Sequence, residues 1–291
     1  MKPLLSSPYD PALATWPMLV STKLDGIRAL IIDGVVVSRS LKPIPNQHVQ
    51  ALFGKGEYNG LDGELIVGEA NDPNVYLKTN SGVMTRTGEP DVFFHVFDDF
   101  SEPSLPFSRR ILDAQARATH PRMRHLVQTR VGGPADAESI YQSCLNLGFE
   151  GIMLRKEDAP YKFGRSTARE GILLKHKPLA DSDAVVLDVF EQMHNGNEAT
   201  TNALGHTTRS SHQENKVGKG TTGGFVARDI HSGIEFNVGI FKGATDADRK
   251  EWWINKPIGK HFKYQSLSIG VKDRPRHPRW ISWRSELDIS N

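Results

Sequence analysis

Hydrophobic patterning changes once along this chain, at Lys175-His176-Lys177-Pro178, and that change limits the folds open to it. Before it, the runs Arg28–Ile32, Val35–Ser38, Leu61–Val67, Val92–Val96 and Gly151–Leu154 are short, β-rich and bounded by Gly, Asp or Pro, as strands are. Between them, Phe107–Ala118 has apolar residues at helical spacing, and Asp136 through Leu147 opens on a capping aspartate and stops at Gly148. This half reads as α+β. Beyond Pro178, Ala184–Phe190, Gly224–Asp229, Ile234–Val238 and Phe262–Ser268 read as strands, with one capped helix at Thr245–Ile254. That pattern predicts a small β-barrel, and with it two domains, 1–178 and 179–291. Within the second, His194–Thr222 is a 29-residue polar insert with four glycines, which predicts a mobile loop.

Composition excludes several function classes. A length of 291 residues accommodates two ordinary domains, and no internal repeat points to an array. The single cysteine, Cys144, rules out an internal disulfide and a thiolate zinc cluster. No run approaches the ~20 apolar residues that span a bilayer, and Met1–Ser6 is too short in apolar residues for a secretory segment. The expectation is an intracellular, cytoplasmic protein without a membrane partner. Lys and Arg number 36 against 34 Asp and Glu, so only local clustering of charge can argue for a polyanionic partner.

Such clusters occur in a definite order. Ser21-Thr22-Lys23-Leu24-Asp25-Gly26-Ile27-Arg28 places a lysine beside a turn. A free lysine, with a pKa of ~10.4, is neutral about once in 2,500 molecules at pH 7, so a nucleophilic lysine needs a cationic or desolvated setting. Arg28 is a candidate source of the first, although a K-x-D-G-x-R run is also simply a charged turn. Leu61-Asp62-Gly63-Glu64-Leu65 puts a carboxylate on a strand, Phe93–Asp98 offers an aromatic for stacking on a base, and Glu150-Gly151-Ile152-Met153-Leu154-Arg155-Lys156 puts a second carboxylate at the mouth of another strand. Leu173-Leu174-Lys175-His176-Lys177 closes the first half with lysines two apart, on one face of a strand.

With Ser38-Arg39-Ser40-Leu41-Lys42-Pro43-Ile44, Tyr161–Thr167, Glu170–Lys175 and Lys272-Asp273-Arg274-Pro275-Arg276 added, the chain resembles the nucleotidyltransferases that become adenylated on lysine, and among them the minimal ATP-dependent DNA ligases of the chlorella-virus type. The resemblance implies an α+β nucleotidyltransferase domain of antiparallel sheets with flanking helices, followed by a small OB-fold β-barrel. It implies that ATP is consumed to AMP and pyrophosphate, with Mg2+ or Mn2+ present, and that nicked duplex DNA is sealed by a monomer. On this likeness Lys23, Asp25, Arg28, Lys175 and Lys177 are catalytic. Thr22, Lys23, Arg28, Glu64, Phe97, Met153, Lys175, Lys177, Arg276 and Arg284 contact ATP, and Glu150 with Glu64 serves the metal. Arg39, Lys42 and Arg165 meet DNA, as do Arg209, Lys216 and Lys219 of a latch-like insert at 194–222.

Only 22 residues precede Lys23, so DNA binding is expected to rest on the two domains and the insert. Three other functions share parts of the pattern. An mRNA-capping guanylyltransferase has the lysine motif but uses GTP and has no use for an insert that encircles DNA. An RNA ligase fits a barrel-like second half poorly. A non-catalytic OB-containing nucleic-acid-binding module leaves the intact charged motifs unexplained.

Overall fold

The computed structural model describes residues 2–178, 180–269 and 274–284, and the chain divides into two compact units, Met1–Lys177 and Pro178–Asn291. The first contains β1 (Ser7–Pro8), β2 (Met18–Thr22), β3 (Ile27–Ile32), β4 (Val35–Ser38), α1 (Gln47–Phe53), β5 (Leu61–Val67), α2 (Val75–Met84), β6 (Val92–Asp99), α3 (Phe107–Arg117), β7 (Met123–His125), β8 (Thr129–Val131), α4 (Pro134–Asn146), β9 (Ile152–Lys156) and β10 (Leu173–His176). They form two mixed, mainly antiparallel five-stranded sheets, ordered β1-β10-β9-β2-β8 and β4-β3-β5-β6-β7. The α+β half is therefore as its patterning indicates.

Each sheet buries one face under helices. Ala29, Ile31, Val36, Leu65, Phe94 and Val96 of the second sheet share a core with Val49 and Phe53 of α1 and Ala114 of α3. Full burial of Phe53 or Phe94 contributes about 1.5–3 kcal/mol each. Met18, Val20, Leu154 and Leu174 of the first sheet pack on Ala137, Tyr141 and Cys144 of α4. Helix α1, seven residues long and without a strong apolar period, is not visible in the patterning. It forms because the Asn46 side chain accepts from the Val49 amide at 2.9 Å and donates to the Thr85 carbonyl at 2.9 Å, tying its start to the end of α2.

The second unit contains β11 (Ala180–Asn195), β12 (Ala199–Thr201), β13 (Thr207–Arg209), β14 (Lys216–Asp229), β15 (Glu235–Val238), β16 (Ile240–Phe241), α5 (Asp246–Asn255), β17 (His261–Ile269) and β18 (Pro275–Trp283). Its main sheet runs β15-β14-β11-β17-β18-β16, and among the described residues no ladder joins the two edge strands. The sheet is open, so the expected OB-fold barrel is not formed. The two edge strands, β15 and β16, follow each other through Gly239 alone and do not pair with each other. The apolar face is instead covered by α5, whose Trp252 packs against Phe225, Phe241, Trp280 and Trp283 at ring-centroid distances of 5.2–5.6 Å. Alternating burial has the same period in an open and a closed sheet, so patterning could not separate them.

The insert also departs from expectation. It is a built hairpin, in which β11 and β14 stay paired through Asn195↔Lys216 and β12 pairs with β13 beyond them. Its polar residues satisfy one another: buried Asn197 donates to the Ser210 and His212 carbonyls at 3.0 and 2.8 Å, and Thr200 faces Thr208 with hydroxyls 3.0 Å apart. A core is not needed where side chains supply the turn and cross-strand bonds.

Candidate active site

Strand register brings three motif ends together. In the first sheet β9 lies between β2 and β10, antiparallel to both, with Thr22 and His176 opposite Ile152. The residues one step further, Lys23 and Lys177, therefore flank Gly151, and Glu150 meets both. The Lys23 amide donates to the Gly151 carbonyl at 2.8 Å, the Lys23 ammonium pairs with one oxygen of Glu150, and Lys177 Nζ lies 2.6 Å from the other. Gly151 has φ +140°, and a Cβ there would collide with the His176 carbonyl oxygen, so only glycine lets these ends converge. Burial opposes ionisation of Glu150, and the two ammonium groups outweigh it and hold the carboxyl below its ordinary range.

The second sheet supplies the opposing wall. Arg28 of β3 faces Glu64 of β5, and the β5–β6 ladder slips between Asp62 and Gly63, leaving Phe97 without a cross-strand partner. Such a bulge re-aims a side chain, and here Phe97 lines the pocket with Arg28 and Arg155 guanidinium carbons 5.4 and 5.3 Å from its ring centre. Arg28 donates from Nε and Nη2 to the two oxygens of Asp62 at 2.9 and 2.6 Å, which fixes its fork. Gly26 is required at the turn before β3, since a Cβ would strike the Leu65 carbonyl oxygen.

The resulting pocket is lined by Thr22, Lys23, Arg28, Arg39, Glu64, Phe97, Met153, Arg155, Arg165 and Lys175, with Leu5, Ser6 and other apolar or hydroxyl groups between them. Six of these are cationic and one is a carboxylate. Burial pushes the Glu64 carboxyl up to about 7, against the pull of Lys23 and Arg28 and with added push from Asp62 and Glu150. Burial lowers the pKa of Lys175, and Lys177, Lys23 and Arg165 lower it further. A concentrated positive field beside a half-buried aromatic ring suits a phosphorylated, ring-bearing ligand.

The other residues singled out from sequence fall as follows. Asp25 follows Leu24 in the turn, half-buried. Arg39, Lys42 and Arg165 are exposed, and Arg165 donates to the Ser6 carbonyl at 2.6 Å. Arg209 ends β13, bonded to the Asn197 carbonyl, while Lys216 and Lys219 lie on β14. Arg276 and Arg284 belong to the second unit, where Arg284 pairs with Asp183 at 3.2 Å. Lys272 and Asp273 lie outside the described residues. Among the described residues no three His, Cys, Asp or Glu side chains are grouped to hold a metal. Arg155, Leu5 and Ser6 line the pocket without having been singled out. For Arg155 a signal existed, since it stands two residues after Met153 on the same strand. For Leu5 and Ser6 there was none, because they arrive through a parallel pairing of β1 with β10, Ser7 opposite Leu174.

The family model of the ATP dependent DNA ligase domain matches residues 7–177, the whole pocket-bearing sheet pair. A probable DNA ligase of Streptomyces avermitilis is 32% identical over 191 residues, which is 58% of this chain and 36% of that protein, so the chain spans about a third of the length of the curated relatives it matches. The crystal structure of chlorella virus DNA ligase-adenylate is 26% identical with a TM-score of 0.55, over 98% of this chain and 99% of that one. A Lig E DNA ligase, 21% identical with a TM-score of 0.70 over 98% and 99% of the two chains, shares the fold. Among the described residues no helix is long and apolar enough to cross a membrane. With residues 7–177 matched, more than half of its length, the chain belongs to the ATP dependent DNA ligase domain family.

Proposed function

We propose that this chain is an ATP-dependent DNA ligase that seals nicks in duplex DNA through a lysyl-AMP and then a DNA-adenylate. The observation that carries the reading is the Lys23 amine, presented at the end of β2 into a pocket of five further cations and Phe97. Lys23 Nζ, after losing a proton, attacks the α-phosphorus of ATP. The N–P bond forms as the bond to the bridging oxygen breaks, and pyrophosphate leaves. Arg28 and Lys175 neutralise charge on the transferring phosphoryl group, Lys177 approaches it from beside Glu150, and Asp25 helps to shape the lysine turn. Phe97 stacks on adenine, with Met153 and Thr22 as further contacts, and Glu64 accepts from the ribose.

In the second step AMP passes from Lys23 to the 5′-phosphate of the nick, and in the third the 3′-hydroxyl displaces AMP. Arg39, Lys42 and Arg165 are exposed to meet the strand ends, and on the hairpin the exposed Arg209 and Lys219, with half-buried Lys216, meet duplex phosphates. A divalent cation fits the donor set: Glu64 and Glu150 offer oxygens and interact repulsively, which a cation relieves, and magnesium commonly takes one or two carboxylates together with nucleotide phosphates. When bound there it would supply charge neutralisation on the phosphates.

The test is incorporation of label from α-labelled ATP into a band on a denaturing gel, followed by sealing of a nicked duplex. ATP is expected to label the protein, GTP not, and Lys23→Ala to abolish both label and sealing. Sealing by the Lys23→Ala protein would refute the mechanism.

A further inference from the structure

A closed ring of hydrogen bonds stands behind Arg28. Its Nε and Nη2 donate to Asp62, and its Nη1 donates to the Leu4 carbonyl at 2.7 Å. The Leu4 amide in turn donates to the Tyr161 hydroxyl at 3.2 Å, and that hydroxyl donates to Asp62 Oδ2 at 2.7 Å. Leu4 and Asp62 are fully buried and Tyr161 is 4% exposed, so water cannot replace a missing member. The ring joins four segments of chain, with Leu4 and Tyr161 157 positions apart in the sequence. Neighbouring bonds reinforce the same seam: Leu5 donates to the Gly164 carbonyl and Ser166 to the Leu5 carbonyl, both at 2.8 Å.

We propose that Tyr161 is a positioning residue for the adenylation step, its hydroxyl locking Asp62 and the Leu4 backbone into the one arrangement that holds the Arg28 guanidinium in the pocket beside Phe97. This rests on the reading of the pocket as an adenylation site. Every N–H-bearing nitrogen of Arg28 is engaged by the ring, so the guanidinium arrives at the transferring phosphoryl group already oriented. Burial beside Asp62 keeps the Tyr161 hydroxyl protonated far above neutral pH, so it remains a donor wherever the enzyme works. Removal of that one oxygen leaves the Leu4 amide unpaired and frees one lone pair of Asp62. The Arg28–Asp62 fork then loses the bond that keeps it from turning. The effect is expected on the rate of phosphoryl transfer more than on nucleotide affinity, because charge stabilised by Arg28 develops in the transition state.

The experiment compares Tyr161→Phe with the parent in single-turnover self-adenylation and in exchange of the Arg28 Nε–H proton, followed by nitrogen-15 NMR and assigned with Arg28→Lys. Tyr161→Phe should slow adenylation at saturating ATP by about tenfold, with the ATP KM within about threefold, and should speed Nε–H exchange. In an Arg28→Lys background the same change should cost less than about twofold, since the effect runs through Arg28. Asp62→Asn breaks the ring at another member and should show the same rate loss, which keeps the test decisive if Tyr161→Phe folds poorly. Parental adenylation with unchanged Nε–H exchange in Tyr161→Phe, or a full multiplicative loss in the Arg28→Lys background, would overturn the proposal. Absence of label on the parent protein would instead overturn the adenylation reading, while Nε–H exchange would still decide whether the ring holds Arg28.

Discussion

Asp98 carries two arginines at the centre of the first unit, and its removal should be among the most destabilising single changes available there. The carboxylate is fully buried, accepts from Arg110 Nε and Nη2 at 2.9 and 3.2 Å, pairs with Arg155, and accepts from the Asp99 amide at 2.9 Å. Arg110 and Arg155 are themselves buried, at 2% and 4% exposure. Breaking one buried pair costs about 3–5 kcal/mol, because the stranded charge is costlier than the lost attraction. Here one deletion strands two guanidinium groups. Arg110 keeps bonds to the Leu105 and Ala159 carbonyls, so part of its charge remains solvated by the chain. We therefore expect Asp98→Ala to cost about 4–5 kcal/mol, against a total of about 5–15 for a typical domain. The exposed pair Arg109–Asp113 is the control, and Asp113→Ala should cost under about 0.5 kcal/mol. Native-state hydrogen exchange of the β6 amides reads the first unit by itself. Adding Arg155→Met to Asp98→Ala should recover part of the loss by removing one stranded charge. Protection of the β6 amides in Asp98→Ala within 1 kcal/mol of the parent would refute the reasoning, as would equal losses in Asp98→Ala and Asp113→Ala.

Acid should weaken the fold through His95, whose pKa burial and then Arg124 push down to about 4 from 6.5. The unfolded chain takes up this proton near pH 6.5 and the folded one only near 4, so the contribution is fully present above about pH 6.5 and is lost as pH falls through 4, amounting to about 3 kcal/mol. Urea titrations between pH 7 and 4 should show a shallower fall in His95→Gln, and identical slopes would count against the assignment. The hairpin can be shortened without breaking the main sheet, because Asn195 and Lys216 are register partners. Replacing residues 196–215 with a tight turn should weaken nicked-duplex binding in a gel shift by about tenfold while label uptake from ATP changes less than twofold. Unchanged affinity would separate the hairpin from DNA.

What could be read in the sequence depended on how far each signal had to travel. Lys23, Glu64, Glu150 and Lys177 were legible because each stands at a strand or at its end, where a local change from apolar alternation to charge marks it. Their convergence was not legible, since it depends on β9 lying between β2 and β10 in a register that no local pattern encodes. The same limit hid Leu5, Ser6 and the Tyr161 ring, whose partners lie about 160 residues away. The open second sheet was missed for a different reason: alternation reports that one face is covered, not by what, and here the cover is Trp252 on α5. The hairpin is the converse case: its glycine and Ser/Thr content reads as absence of structure, although Asn197 donates to the Ser210 carbonyl and the Thr200 and Thr208 hydroxyls pair across β12 and β13. A polar segment orders when its side chains pair among themselves, and such pairing leaves no mark in hydropathy. Most of the charged residues that line the pocket are thus written locally, while the contacts that aim them join distant segments. Substitutions at Asp62, Asp98 and Tyr161 should therefore alter the pocket as surely as substitutions within it.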